Sequence, residues 1–170
     1  MSDLIIPQHI LEDLVAHAQE LDPYECCGFL AGKGQIVSRV YRIKNVVGLD
    51  GAAQSAPFDD AKAQHLSRLS PEERAEIAFI MDAQEMFLAV KDMRKNGLTL
   101  QVVYHSHPHD PARPSVTDIK IADEWEENWS RLNLTLPIYM LISLMDKSHP
   151  DVRAYWIRSG IVSSADIMKT

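Results

Sequence analysis

The apolar residues of the first part of the chain recur at the spacing of an amphipathic helix. On one face lie Ile10, Leu11, Leu14, Val15, Ala18 and Leu21. Pro7 suits the start of such a helix because its missing N–H would have no intrahelical partner there. The pattern therefore predicts a helix from about Pro7 to Leu21, which ends at "DPY".

A two-stranded hairpin is predicted next. The run "ECCGFLAG" is short, apolar and bounded by glycine, as expected of a buried strand. "KGQ" predicts a tight turn, and "IVSRVYRIKNV" is rich in the β-branched residues that favour strands.

The segment from Gly48 to Glu76 has a weaker pattern. Its first part, "GLDGAAQSAP", has the composition of a loop, and "FDDAKAQHLSRL" has weak helical character. The stretch Ser70–Glu73 matches a capping box with proline at the first helical position. Two alternatives follow: one long helix from Pro71 to Lys95, or a short turn, a strand "EIAFIM" and a helix that starts at Asp82.

The elements of the second half are more regular. A helix from Asp82 to Asn96 is clear, with Gly97 as its C-cap, and its stripe is Met86, Ala89, Val90 and Met93. "LTLQVVYHSH" predicts a strand, and a second helix runs from Ser115 to about Glu127 with the stripe Ile119, Ala122, Trp125 and Trp129. "PIYMLISLM" and "VRAYWIR" predict two more strands, and the tail "SSADIMKT" predicts a short helix or a frayed end. This order of elements predicts a mixed or largely antiparallel sheet flanked by helices.

Composition and charge restrict the function. A chain of 170 residues fits one domain, 1–170. The net charge of -7 argues against a nucleic-acid-binding surface, and no apolar run is long enough to cross a membrane. The N-terminus lacks the features of a signal peptide, and neighbouring cysteines such as Cys26 and Cys27 rarely form a disulfide. We therefore expect free thiols and a cytoplasmic protein.

One short stretch, "VVYHSHPHDPARPSVTD", has the residues of a metal site. His105 and His107 are two apart on a strand, so both imidazoles point to the same face. Asp118 lies in the first turn of the next helix and offers a third ligand. Two histidines and one carboxylate, with a fourth position left for water, are typical of catalytic zinc. Such a site needs a general base, and Glu25 is the best candidate.

Each of these residues also has an ordinary structural interpretation. Ser115-x-x-Asp118 is a common helix start, and a His-x-His pair alone is weak evidence for a metal. The two thiols of the apolar strand are better suited to packing than to nucleophilic attack. His109 and Asp110 lie in a proline-bounded loop, where their role stays open. Solvent exposure is expected for the remaining histidines: His9, His17, His65 and His149.

The combination is more specific than its parts. Glu25, then His105-x-His107, seven residues, and Ser115-x-x-Asp118 resembles the JAMM (or MPN) metalloprotease family, of the compact prokaryotic type. The resemblance covers most of the chain, including "DPYECCGFLAG" and "PIYMLISLMDKSHPDVRAYWI". It implies an α/β (α+β mixed sheet) fold with a cytidine-deaminase-like central β-sheet flanked by helices. It also favours a strand near Ile77 to Met81, followed by a helix from Asp82.

The resemblance further implies a zinc metalloprotease. His105, His107 and Asp118 would bind Zn²⁺ with water as fourth ligand. Glu25 would act as general base toward the zinc-activated water and pass its proton to the leaving amine, and Ser115 would hold the oxyanion. The expected substrate is a peptide or isopeptide bond after the C-terminal Gly-Gly of a ubiquitin-like or β-grasp protein, either a sulfur carrier or a modifier. Dimers are common in the family, so a homodimer is expected.

Other functions are weaker alternatives. "HSHPHD" is similar to the His-x-His-x-Asp-His motif of the metallo-β-lactamase fold, but its last two residues are in the wrong order. A zinc deaminase needs two cysteines after its histidine, and no cysteine follows Cys27. A non-catalytic scaffold that binds β-grasp proteins is the main non-enzymatic alternative. The segment 48–76 is longer than in compact prokaryotic members and predicts an inserted flap or docking element, with a decorative loop as the alternative.

Overall fold

The strands of the protein join in one mixed sheet. Its computed structural model describes residues 2–52, 58–131 and 134–170, and the strands are β1 (Leu4–Ile6), β2 (Cys27–Lys33), β3 (Ile36–Ile43), β4 (Thr99–His107), β5 (Ile138–Ser143), β6 (Asp151–Arg158), β7 (Ile161–Ser164) and β8 (Ile167–Lys169). Within these residues the sheet has eight strands in the order β7-β6-β5-β4-β2-β3-β1-β8. β2 pairs antiparallel with β3 and β4, whereas β4 pairs parallel with β5. The predicted mixed sheet is confirmed.

Helices cover both faces of this sheet. They are α1 (Gln8–Leu21), α2 (Asp60–Ser67), α3 (Pro71–Ile77), α4 (Ala83–Lys95) and α5 (Val116–Arg131). Strand side chains alternate between faces, so Leu30 and Tyr104 join one core cluster with α1. Their neighbours Phe29 and Val103 join a second cluster with α4 and α5. No helix of the described residues is long and apolar enough to cross a membrane.

The regular helices and the first hairpin agree with their sequence patterns. α1 follows Pro7, β2 and β3 form the hairpin, and α4 begins after Asp82, whose side chain accepts a hydrogen bond from the Glu85 N–H. Gly97 adopts a φ of 63°, as a glycine after a helix end does. These predictions are confirmed. Each rests on a local periodicity and a local end signal, which the tertiary structure does not override.

Gly28 shows how tightly the middle of the sheet is packed. A Cβ at this position would lie 2.3 Å from the carbonyl oxygen of Tyr41 and 2.6 Å from the hydroxyl of Tyr104. Any larger residue would push β2 away from its neighbours. The glycine therefore keeps β2, and the residues just before it, close to β4.

The predicted strand near Ile77 to Met81 is wrong. Ile77 ends α3, and the segment that follows forms one isolated bridge, between Asn45 and Met81. The side chain of Asn45 accepts the Ile80 N–H and donates to the Ala78 carbonyl, both at distances of 3.0 to 3.1 Å. This side chain takes the place of a strand ladder, so the segment is extended without being a regular strand. The single long helix, the other alternative, is also excluded.

The predicted end of the chain is also wrong. The tail forms β7 and β8 rather than a helix or a frayed end, and β8 pairs in parallel with β1, a strand that the sequence does not predict. The β7 side chains are exposed, and β1 and β8 have three residues each. The edge strands β7 and β8 are largely exposed, and β1, although Leu4 and Ile6 are buried, is too short for its apolar alternation to stand out in the sequence.

The segment 48–76 contains the short helices α2 and α3, while residues 53–57 lie outside the described part. The capping box of α3 is confirmed, because the Ser70 Oγ accepts from the Glu73 N–H and the Glu73 carboxylate accepts from the Ser70 N–H. Leu66 of α2 is buried in a third apolar cluster with Val47 and Ala78. The described part of this segment therefore packs against the domain through Leu66.

Candidate metal centre and active-site cleft

The end of β4 places two histidines side by side. His105 lies between Cys27 of β2 and Leu141 of β5, and His107 lies opposite Ser143. Both side chains are buried and lie on the same face of the strand, with their Nε2 atoms 3.1 Å apart. The geometry expected from their spacing is present.

The start of α5 brings a carboxylate to the same point. Asp118 Oδ1 lies 3.2 Å from His105 Nε2, and Asp118 Oδ2 lies 3.4 Å from His107 Nε2. The same carboxylate accepts the Ser115 N–H at 2.7 Å, while the Ser115 Oγ accepts the Asp118 N–H at 3.1 Å. The capping interpretation and the ligand geometry therefore coexist in one helix start.

These three side chains fit a tetrahedral metal ion. One ligand atom from each lies within 4.8 Å of the other two. Zinc–nitrogen and zinc–oxygen bonds of about 2.0–2.2 Å place neighbouring ligand atoms roughly 3.3–3.6 Å apart in a tetrahedron. The observed separations of 3.1, 3.2 and 3.4 Å are close to this range. The donor set of two imidazoles and one carboxylate leaves a fourth position for water or substrate.

The loop after β4 orients His107. Its Nδ1 lies 2.8 Å from the Pro111 carbonyl oxygen and donates to it, which leaves Nε2 available as a metal ligand. The loop itself is anchored by two hydroxyl groups: Ser143 donates to the Asp110 carbonyl, and Tyr155 donates to the Ala112 carbonyl, each at 2.6 Å. The proline spacing of the loop gave no indication of these contacts, because they come from β5 and β6.

The charges around the histidines favour a cation. Burial acts to lower the pKa of His107, but the Asp118 and Glu25 carboxylates raise this pKa to about 9. Burial acts to raise the pKa of Asp118, yet His105 and His107 hold it well below its ordinary range. The environment thus stabilises an anionic carboxylate beside positive charge, the arrangement that a bound divalent cation also requires.

Glu25 lies just before β2 and is buried. Its backbone N–H donates to the Ala75 carbonyl of α3 at 2.7 Å, and its carbonyl accepts from Asn45 Nδ2 at 3.0 Å. Burial raises the pKa of its carboxyl well above the ordinary value, and Asp118 and Asp110 add to this, whereas His107 and Lys62 oppose it. The raised pKa makes this carboxylate a stronger base than an exposed one, which suits a proton acceptor.

One cleft of about 570 Å³ is lined by four of the five candidate residues, all except His105. Its lining includes Glu25, His107, Ser115 and Asp118 from the core of the domain. The opposite wall comes from the segment 58–79, and the lining residues there are Phe58, Lys62, Ile77, Ala78 and Phe79. The Phe79 ring stacks on His105 with ring centroids 4.6 Å apart. The sequence gave no direct signal for Lys62, Phe79 or the supporting Asn45.

The other residues considered from the sequence lie elsewhere. Cys26 and Cys27 are buried free thiols; burial raises the pKa of Cys26 to about 12 and that of Cys27 well above its ordinary value, so packing is their role. His109 is exposed and lies 3.1 Å from Glu76, outside the cleft lining, whereas Asp110 lines the cleft. His9, His65 and His149 are exposed as expected.

His17 contradicts the expectation of exposure. It is buried under the sheet, and its Nδ1 lies 2.8 Å from the hydroxyl of Tyr104. Helical spacing alone could not show this, because the contact depends on how α1 packs on β4.

Comparison with known proteins decides the family. The model of the family described as prokaryotic homologs of the JAB domain (Prok-JAB) matches residues 7–158. The chain belongs to this family. The predicted JAMM (MPN) membership, of the compact prokaryotic type, is confirmed.

Several JAB-domain relatives have informative names. The "CysO-cysteine peptidase" of Mycobacterium tuberculosis is 27% identical over 164 residues, which cover 96% of this chain and 89% of that protein. The "Probable TtuB-protein conjugate cleaving protease" of Thermus thermophilus is 33% identical over 119 residues, 70% of this chain and 63% of that protein. Among solved structures, protein DSY2949 of Desulfitobacterium hafniense has a TM-score of 0.67 and 32% identity, and the match covers 98% of this chain and 92% of that one.

Proposed function

We propose that this JAB-domain protein is a zinc-dependent peptidase. Its substrate would be the peptide or isopeptide bond after the C-terminal Gly-Gly of a ubiquitin-like or β-grasp protein, either a sulfur carrier or a protein modifier. The observation that carries the proposal is the convergence of His105, His107 and Asp118 at a cleft that His107, Asp118, Glu25 and Ser115 line. The names of two relatives support it, since one describes a peptidase for CysO-cysteine and the other a protease for TtuB–protein conjugates.

The three ligands leave one position for chemistry. His105, His107 and Asp118 would hold the zinc ion, which when bound supplies Lewis-acid chemistry by acidifying a water molecule and polarising a carbonyl group. Glu25 would accept the proton of that water and deliver it to the leaving amine. Burial raises the pKa of this carboxyl, which makes the carboxylate a stronger base toward the proton of that water.

Ser115 is suited to a second role. Its Oγ accepts the Asp118 N–H through a lone pair, so its own hydrogen remains free to donate. We assign that hydrogen to the carbonyl oxygen of the scissile bond as negative charge develops on it. One such donor typically contributes about 3 kcal/mol to the transition state.

The extended segment after α3 provides a place for a Gly-Gly tail. Ala78 and Ile80 direct their backbone groups to Asn45, whereas Phe79 between them makes no backbone hydrogen bond to another described residue. Phe79 also lines the cleft beside His105. A substrate strand could pair here, and glycine would allow the close approach that the ring and the histidines require.

The segment 48–76 is the proposed docking element. Two contacts join its described part to the opposite wall: an ion pair between Asp59 and Lys120 of α5, and a hydrogen bond between Glu76 and His109 of the loop after β4. We assign to it the recognition of the folded part of the substrate. A homodimer, which the family resemblance implies, stays a prediction that analytical ultracentrifugation would check.

The proposed function is tested with a panel of β-grasp proteins. Each carries either one extra C-terminal residue or a lysine joined by an isopeptide bond after Gly-Gly. We expect cleavage of at least one, loss of cleavage after treatment with a chelator, and recovery on adding zinc. Binding of these proteins without cleavage, in the presence of zinc, would instead favour the scaffold alternative, and neither binding nor cleavage would contradict both.

A further inference from the structure

The cleft contains a cation that the proposed chemistry does not use. Lys62 of α2 lines the cleft and makes no ion pair with any carboxylate of residues 2–52, 58–131 and 134–170. The only hydrogen bond of its ammonium group within these residues is to the Ile77 carbonyl, with Nζ and the oxygen 3.3 Å apart. An ammonium group has three donors, so two of them have no partner among these residues.

Lys62 and the proposed base, Glu25, contact the same helix. The last turn of α3 holds both residues: its Ala75 carbonyl accepts from the Glu25 N–H, and its Ile77 carbonyl accepts from the Lys62 ammonium. The charge of Lys62 also acts on the Glu25 carboxyl. Glu25 would deliver its proton to the leaving amine, so a cation held beside Glu25 would also be near the leaving group.

A leaving amino acid differs from a leaving lysine side chain in one chemical group. In a peptide bond to a single C-terminal residue, the α-carboxylate is two bonds from the departing nitrogen. In an isopeptide bond the departing nitrogen is the ε-amine, and no carboxylate is near it. A cation beside the departing amine therefore distinguishes the two classes of substrate.

Resting on the proposed function, we infer that Lys62 binds the α-carboxylate of a single C-terminal amino acid that follows Gly-Gly. The enzyme would accordingly act as a carboxypeptidase that removes one residue, in preference to an isopeptidase that separates two proteins. Water adds across the scissile bond, so the carrier regains its Gly-Gly carboxylate and the residue leaves as a free amino acid. No oxidant, reductant or further reactant is needed.

The test uses two matched probes. Each probe is the same β-grasp protein, the one of the panel that wild type cleaves best, with a C-terminus that ends in Gly-Gly-Ala. One probe has a free α-carboxylate, and the other has a C-terminal amide. We expect wild type to have the higher kcat/KM for the carboxylate probe, and Lys62→Gln to lower this preference by about tenfold, the usual effect of losing one charge-assisted hydrogen bond. Lys62→Arg should keep most of it. Taking the ratio of the two probes removes any effect of Lys62 on Glu25 itself.

Binding and a second cation give independent checks. Binding can be measured by calorimetry in the Glu25→Gln variant, which should cleave neither probe. Adding Lys62→Gln to this variant should reduce the preference for the carboxylate probe, given by the ratio of the two Kd values, by the same factor. Arg113 lines the same cleft, and Arg113→Gln should change the affinities for both probes by similar factors. An unchanged ratio in Lys62→Gln, or an equal fall in Arg113→Gln, would overturn the inference while leaving the proposed function standing. Failure of wild type to cleave any panel protein would overturn the proposed function, and the inference with it.

Discussion

At the scale of single residues, Ser115 combines two tasks in one hydroxyl group. It caps α5 through the Asp118 N–H and lines the cleft. Ser70 makes the same pair of capping hydrogen bonds at α3, with the same distance of 3.1 Å from its Oγ to the Glu73 nitrogen. The protein therefore contains its own control for separating helix capping from catalysis.

Replacing either serine with alanine should destabilise the protein similarly but affect turnover differently. Ser115→Ala and Ser70→Ala should each lower the free energy of unfolding by about 1 kcal/mol, because each removes one helix cap. Ser115→Ala should also lower kcat about 100-fold, because it removes the donor to the developing oxyanion. Steady-state kinetics and urea unfolding measure both effects. Equal turnover in the two variants would show that Ser115 is only a cap.

His17 provides a prediction on pH. Burial is the main cause that lowers its pKa to about 4, from an ordinary value of 6.5. Between these two values the unfolded chain takes up a proton that the folded protein does not, so the free energy of unfolding should fall as the pH drops from 6.5 toward 4. His17→Gln should flatten this dependence in urea titrations across that range. His9→Gln, an exposed change on the same helix, should leave it as in wild type, and a wild-type slope in His17→Gln would contradict the account.

The candidate metal ligands could be predicted from sequence for simple reasons. Strand alternation places His105 and His107 on one face, and a helix start fixes Asp118 after a short loop. The supporting groups could not be predicted, because Asn45, the Pro111 carbonyl and Lys62 act only through contacts between distant elements. Residues whose role depends on tertiary packing leave no local pattern, and His17 was misjudged for the same reason.

At the scale of elements, α2 and α3 form one wall of the cleft. They pack through Leu66 on the third apolar cluster and are joined to the other wall by the Asp59–Lys120 and Glu76–His109 pairs. Both contacts are exposed, so each contributes little to stability. Their location across the cleft suggests that they orient the wall rather than hold the fold together.

Removing both the Asp59–Lys120 and the Glu76–His109 contacts should affect binding of a protein substrate more than the chemical step. Lys120→Ala combined with Glu76→Gln should raise KM for a β-grasp substrate by about tenfold, the scale of losing one exposed ion pair and weakening one exposed hydrogen bond, with a smaller change in kcat. Arg131→Ala is the matched control, since it breaks an exposed ion pair with Glu127 on the same helix α5. Deleting Asp50 to Leu69 without any loss of catalytic efficiency on the protein substrate would refute the docking role.

The elements that were predicted correctly have strong local periodicity, and the others do not. α1 and α4 each have an apolar stripe with an end signal, and β2 and β5 are buried throughout most of their length. β1, β7 and β8 are short strands in the outer parts of the sheet, and backbone pairing, which leaves little trace in the sequence, holds them there. The extended stretch after α3 is decided by one asparagine side chain from another part of the chain.

At the scale of the whole molecule, the order of the strands assembles the site. β4 lies between β2 and β5, so Glu25, two residues before β2, the end of β4 and the start of α5 meet at one edge of the sheet. Glu25 is thereby brought beside ligands that lie eighty or more positions away in sequence. The ligands and the proposed base come from different elements, so a substitution can separate metal binding from turnover.

The most direct measurement compares Glu25→Gln with His107→Ala for zinc content and turnover. Glu25→Gln keeps the three ligands and should retain zinc at the wild-type ratio, measured by mass spectrometry of the metal, while kcat on the best β-grasp substrate falls at least 100-fold. His107→Ala should lose both zinc and cleavage. Wild-type turnover in Glu25→Gln, or full zinc content in His107→Ala, would contradict the central claim.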